Sequence, residues 1–377
     1  MIDTRSLPES PVRLLDNEGN MKRKLAAVII LSILACATVV YAQWGLFEHR
    51  YKYQLSDVLQ AQRFVEKNGY WEGYVYDDLA GYVLLSKDWT GNLVGYSGKH
   101  METLIGMDMN GTIAGVKLIF HSEPIVLIGL KEKNYLKFLK QYYGKSIKKE
   151  FSIGKGISMD TVTGATVTAV VHNAIILRSA RKVASKAGIL KVARRQGRSV
   201  RQEYKKLTWP ELLKAGAVRN LRITTGDLGL AGNEIYLDLY YGVATVPSIG
   251  RNVLGETIYR DTMDTLEDGE TAIFVFSRGE GSFKGSGFAR GGIFDRFNLE
   301  QEDNVYMFRD ADYRILTQIG VKGAPEIKEA GLFIVRGKDF DPTRPFRFNL
   351  VLPYREGGRK EFRSFKSEGT IPDEFLE

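Results

Sequence analysis

Residues 25–42 form an uncharged run rich in Ala, Val, Ile and Leu, whereas the rest of the chain alternates on shorter periods. About eighteen such residues reach the minimum for a helix crossing a bilayer core. Lys22, Arg23 and Lys24 stand directly before the run, and the positive-inside bias places them in the cytoplasm and everything after Trp44 outside. Val40-Tyr41-Ala42 ends it as a signal-peptide cleavage site would, so a retained anchor and a removed leader both fit. Residues 1–24 therefore read as a cytoplasmic segment whose start is Met1 or Met21. Residues 25–44 read as a transmembrane anchor or signal.

Beyond this run, residues 51–68 are polar and amphipathic and predict a connecting helix. From Gly69 the pattern changes to short strand-like runs, over 81–86, 93–96 and 112–120. Asp108-Met109-Asn110-Gly111 before the third run is hairpin-turn chemistry, because Asn-Gly tolerates positive φ. Residues 135–143 predict a helix. So do 168–186, where Val170, Val171, Ala174, Ile175, Leu177 and Val183 recur at helical spacing. These elements predict a compact α+β domain over 69–187, and a basic, Gly-containing linker follows over 188–206. Strands over 233–246, 271–277, 291–294 and 331–335, with a helix over 247–266, predict a second mixed α+β domain over 207–377.

A length of 377 residues, with 44% hydrophobic and 11% aromatic content, suits two folded cores and excludes global disorder. The formal charge of +8 owes much to a basic stretch from Arg178 to Lys206. No nucleic-acid module accompanies it, so it reads as the solvated face of a helix and its linker, with no nucleic-acid partner. Cys36 is the single cysteine, which excludes internal disulfides and cysteine-ligated iron–sulfur clusters built by this chain alone. Four histidines without a close-spaced pair argue against structural zinc. Gly285 to Gly291 looks like a dinucleotide loop but lacks its sixth-place glycine and a strand–turn–helix frame, and reads as a structural turn.

Candidate chemistry concentrates before the most periodic helix, at Ser158-Met159-Asp160-Thr161-Val162-Thr163-Gly164-Ala165-Thr166-Val167-Thr168. Asp160 or Thr163 reads as an N-cap and Gly164 as the residue shaping the turn. The same residues also suit a phosphate: small side chains let it approach the backbone, and the free N–H groups and helix dipole stabilise its charge. A threonine there is then a phosphoester acceptor.

Asp160-Thr161-Val162-Thr163-Gly164-Ala165-Thr166 resembles the flavinylation motif of the FMN-binding domain family, Asp-x-x-Ser/Thr-Gly-Ala-Thr. That family includes the RnfG and NqrC subunits of membrane redox pumps. The resemblance implies that an ApbE-type flavin transferase moves FMN from FAD onto Thr166, with Asp160, Thr163, Gly164 and Ala165 as the surrounding signature. Gly95-Tyr96-Ser97-Gly98 and residues 104–116 are similar to the strand-rich body of these domains, and Tyr96 is a candidate to stack near the flavin. His121-Ser122-Glu123-Pro124 sits where they carry His-x-Glu-Thr-Pro, which implies that His121 and Glu123 line the flavin. The threonine after the glutamate is missing here. His121 and Glu123 as a catalytic pair is the weaker reading, since neither a nucleophile nor a metal set accompanies them.

Residues 121–129, 176–184, 246–255 and 283–296 narrow the likeness to the NosR/NirI group, from about Gly69 to near the C-terminus. Those are membrane flavo-iron-sulfur proteins needed for nitrous oxide reductase in denitrifying bacteria. Full-length members continue into several membrane helices and a ferredoxin-like part, neither of which this sequence contains, so either its electrons arrive from another polypeptide or the sequence is a fragment of a longer product. The resemblance implies an exported electron-transfer flavoprotein fed by a separate iron–sulfur or quinol-linked donor and serving nitrous oxide reductase. A redox-sensing or assembly docking module and an extracytoplasmic flavin reductase are the alternatives.

Overall fold

A computed structural model describes residues 48–90, 93–95, 97, 99–123, 132–149, 166–190, 198–285, 294–302, 304–317, 319–356 and 359–377. Met1–Arg50 and Tyr51–Glu377 form separate units, and the apolar run at 25–42 lies outside the described residues. Among the described residues no helix is long and apolar enough to cross a membrane.

The Tyr51–Glu377 unit opens with an antiparallel meander of five strands in sequence order: β1 (Arg63–Lys67), β2 (Tyr70–Val75), β3 (Asp78–Leu85), β4 (Glu102–Asp108) and β5 (Ile113–His121). Both faces of this sheet are covered, so its central strands read as nearly continuous apolar runs. Tyr82 and Leu84 face one core with Ile105, Met107 and Leu118, while Val83 and Leu85 face the other with Leu104 and Ile119. Helices α1 (Glu132–Lys140) and α2 (Thr166–Lys186) cover the first face through Tyr135, Phe138, Leu139, Ile176, Ala180 and Val183.

The segment preceding β1 covers the second face, and here the structure departs from the connecting helix that amphipathicity predicts over 51–68. Only Leu55–Asp57 forms a short 3-10 turn, and β1 follows. Val58 and Leu59 are buried against the sheet, and Val58 approaches so closely that a Cβ on Gly106 would lie 2.2 Å from its carbonyl oxygen. Asn68-Gly69 then closes a two-residue hairpin between Lys67 and Tyr70, with Gly69 at φ 90°. Cross-strand pairing outweighs a marginal helical period. The strand expected over 93–96 does not form at Leu93 to Gly95, which is irregular, the Gly95 amide donating to the Lys99 carbonyl at 2.9 Å, and Tyr96 lies outside the described residues. The Asp108–Gly111 turn forms as the sequence predicts, with the Asp108 carboxylate accepting from the amides of Asn110 and Thr112 at 2.8 Å each.

The remaining elements are α3 (Trp209–Ala215), β6 (Arg219–Thr224), β7 (Ile235–Val243), α4 (Pro247–Leu254), α5 (Glu256–Thr265), β8 (Thr271–Gly279), β9 (Phe297–Gln301), β10 (Asn304–Tyr306), β11 (Tyr313–Ile315), β12 (Glu329–Val335), β13 (Phe346–Glu356) and β14 (Arg359–Gly369). They build two antiparallel sheets, in the orders β11-β12-β8-β7-β6 and β10-β9-β13-β14. Their aromatic faces meet: the Tyr241 and Phe348 rings stack at 4.5 Å, and Phe297 meets Phe333 edge-on at 4.9 Å. The single helix expected over 247–266 is broken at Gly255, whose φ 80°, ψ 160° belongs to a region open essentially to glycine. Phe294, expected in a strand, is irregular and buried in the aromatic core, while Gly291, Gly292 and Ile293 lie outside the described residues. The described part of the basic linker is pinned: Ser199 and Glu377 exchange backbone hydrogen bonds at 3.1 and 2.9 Å, and the Arg201 amide donates to the Phe375 carbonyl at 3.0 Å.

Candidate functional site

Thr166 is the first residue of α2, a helix of 21 residues. Its backbone is therefore at the positive end of a long dipole, where N–H groups have no intrahelical partner. Asp160, Thr163, Gly164, Ala165 and Tyr96 lie outside the described residues, as does the Thr166 side chain.

Glu123, 1% exposed at the end of β5, is the hub beneath this helix start. One carboxylate oxygen accepts from the Ser97 amide at 3.1 Å and the Ser97 hydroxyl at 2.9 Å. The other accepts from the hydroxyl of Thr168, in the first turn of α2, at 2.6 Å. A carboxylate this deeply buried is tolerated only with several such donors. Gly95 makes the room: a Cβ there would lie 2.2 Å from the Glu123 carboxylate. His121 is buried beside it. Its Nδ1 accepts the Glu123 amide at 3.3 Å, which assigns the ring proton to Nε2. The ring stacks on Tyr51 at 6.4 Å.

One turn further along α2, His172 is fully buried. The Thr103 hydroxyl meets its Nε2 at 2.5 Å, and the Tyr135 hydroxyl hydrogen-bonds its Nδ1. Burial, with a contribution from His121, lowers the His172 pKa to about 3, so the imidazole is neutral. Burial, then the Glu123 charge, pushes the Tyr135 phenol well above its ordinary value. Two linked polar layers thus run from the Thr168 end of the helix into the core.

The structure brings His121 and Glu123 together at the start of α2. Ser97, Thr168, Thr103, His172 and Tyr135 complete the network and were not anticipated from sequence. Thr168 and His172 carry a signal all the same: two polar residues four apart, on a face otherwise occupied by Val171, Ala174 and Ile175. Among the described residues no group of three or more His, Cys, Asp or Glu side chains could hold a metal.

Alongside this network lies a cleft of about 570 Å3, bounded by Leu93, Val94 and Gly95, by Val171 and Arg178 of α2, and by residues around β10 and the end of β12. Val305 of β10 packs on Val171 and Ile175, and Arg178 pairs with Asp339 at 2.9 Å.

Residues 95–176 match the FMN-binding domain family, a span holding Ser97, His121, Glu123 and Thr166. The chain is 35% identical over 328 residues to the regulatory protein NosR of Stutzerimonas stutzeri, covering 80% of this chain and 45% of that protein. It is 34% identical over 309 residues to the regulatory protein NosR of Pseudomonas aeruginosa (75% and 43%), and 30% identical over 266 residues to the protein NirI of Paracoccus denitrificans (67% and 38%). It therefore spans less than half the length of these relatives. With an FMN-binding domain built around Glu123 and a likeness that extends across both halves of the described fold, the chain belongs to the NosR/NirI family.

Proposed function

We propose that the chain is an exported, membrane-tethered flavoprotein carrying FMN as a phosphoester on Thr166, and that it passes electrons to, or matures, the nitrous oxide reductase system of denitrification. The observation that carries this reading is the start of α2. Thr166 opens a long helix whose first turn is fixed by the Thr168–Glu123–Ser97 hydrogen bonds, which hold the backbone donors of the helix start in place. The residue types of the 160–166 signature fit a phosphate and its small-residue surroundings.

In attachment, the Thr166 hydroxyl oxygen bonds the FMN phosphorus as the pyrophosphate bond of FAD breaks. AMP leaves and the hydroxyl proton is released, catalysed by an ApbE-type flavin transferase. Once bound, FMN supplies the one- or two-electron chemistry, and the protein sets its position and potential. Glu123 and Thr168 fix the helix start, His121 lines the site, and Asp160, Thr163, Gly164, Ala165 and Tyr96 complete the recognition signature and pocket. A covalent link suits an exported cofactor, which would otherwise be lost by dissociation.

The apolar run at 25–42 after Lys22, Arg23 and Lys24 supports the tether and the export of all that follows. On this reading 69–187 is the flavin domain, 188–206 the link, and 207–377 a second domain facing partners. The donor on this reading is an iron–sulfur or quinol-linked group outside residues 1–377, since Cys36 alone ligates no cluster. The word regulatory in the names of both NosR relatives favours a second reading, in which flavin redox state alters docking.

Intact mass after co-expression with a flavin transferase tests the attachment. One added FMN, mapped to the peptide holding Thr166 and absent from Thr166→Ala, is expected. A colourless parent protein would overturn the assignment. If Thr166→Ala still supported full nitrous oxide reduction in cells, the relay would fall and the docking reading would take its place.

A further inference from the structure

The cleft beside α2 is not required by attachment at Thr166, yet it lies where a ring tethered there would reach. Val171, on its wall, is five residues into the helix, about 7.5 Å along the axis at about 1.5 Å per residue, and Arg178 is about 18 Å along. Phosphate and ring of FMN are separated by a ribityl chain of single bonds near 1.5 Å, which extends to roughly 7 Å. A ring extended along the helix from Thr166 would therefore reach the depth of the cleft. The intervening residues are contiguous: Thr168 bonds Glu123, Glu123 packs on Gly95, and Gly95 lines the cleft.

The lining has the composition a flat, amphipathic ring needs. Leu93, Val94, Val171, Val305 and Met307 offer apolar surface. The polar contribution comes from Arg178. Its terminal nitrogen engages Asp339, while its Nε is buried with no hydrogen-bond partner among the described residues. A buried donor in that state is costly unless a ligand satisfies it. Lys338 adds a second cation at the wall.

We infer that this cleft holds the isoalloxazine ring of the Thr166-bound flavin, so that the residues around β10 and Gly337–Asp339 close the flavin site from the side opposite α2. The assignment rests on the reading of Thr166 as the flavin acceptor. It makes the second half of the fold part of the cofactor site, with Arg178 as the cation that favours the more negative, reduced ring.

Full-length protein, flavinylated by co-expression and checked for one FMN by intact mass, supplies the test. Met307→Trp brings an electron-rich indole against the ring and should lower flavin fluorescence per bound FMN at least five-fold. Arg178→Gln should reduce the preference for reduced over oxidised flavin about ten-fold, a fall in two-electron midpoint potential of about 30 mV. Iodide, which needs no substitution, should quench the bound flavin several-fold less than free FMN. Unchanged fluorescence in Met307→Trp with FMN present would place the ring elsewhere and leave the Thr166 attachment standing, as would quenching equal to that of free FMN. A parent protein without added FMN would overturn both.

Discussion

Glu123 shows how much one side chain can carry. Its two oxygens are acceptors for Ser97 and Thr168, the Thr168 contact buried and the Ser97 contact half-buried. Removing the carboxylate leaves these hydroxyls and the Ser97 amide without it, and each orphaned group costs about 1–3 kcal/mol. Glu123→Ala should therefore destabilise by about 2–4 kcal/mol in urea unfolding, and a loss below about 1 kcal/mol would show that the network is peripheral. His172 gives a pH dependence of defined sign. Its folded pKa, about 3, lies below the ordinary 6.5, so the unfolded chain binds the proton first as pH falls. The contribution of neutral His172 is complete above about pH 6.5 and is lost as pH falls toward 3, at up to about 1.4 kcal/mol per pH unit. His172→Gln should flatten that slope in urea titrations between pH 6 and 4, and an identical slope in both proteins would remove His172 as its source.

Elements are decided by backbone chemistry as much as by apolar pattern. Gly255 separates α4 from α5 in a conformation costing other residues about 1–3 kcal/mol, although space around it is open. Gly255→Ala should lower stability by about that amount without altering packing, and an unchanged melting temperature would mean the break is set elsewhere. This position also marks where sequence reading fell short: apolar spacing continues across 247–266, and only the glycine signals the interruption. The α2 helix, β3, β5, β7, β8 and β12 were legible because long periods or apolar runs fix them. The β1 strand was hidden because its partner is chosen by the Asn68-Gly69 hairpin, a signal present in the sequence but outweighed by the amphipathicity around it. Residues 93–95 misled in the opposite sense: they are irregular, and Glu123, 26 residues along the chain, accepts from the neighbouring Ser97 amide. The His121–Glu123 pair was recognisable from its motif. Its contacts to Ser97 and Thr168 depend on chain crossings that no local pattern encodes.

At the level of the whole molecule, α2 belongs to two cores at once. Its Ile176, Ala180 and Val183 seal the meander, while Val171 and Ile175 receive Val305 from the second pair of sheets. Across the same surface Arg178 meets Asp339. A further long-range arrangement lies at Ser199 and Glu377, which face each other in an antiparallel bridge next to Val200 and Leu376. Two residues would suffice to join these positions as an ordinary β-hairpin, and Asn-Gly has the right backbone preferences. The polypeptide from 199 to 377 is thus topologically a ring with one open link, and it can be reopened elsewhere. A circular permutant beginning at Gly269, running through Glu377-Asn-Gly-Ser199 and ending at Asp268, relocates the ends to an exposed turn. It should keep a cooperative thermal transition and the near-ultraviolet signature of the stacked aromatic core. A permutant that melted without cooperativity would mean that the ring cannot hold its shape apart from the flavin-binding half.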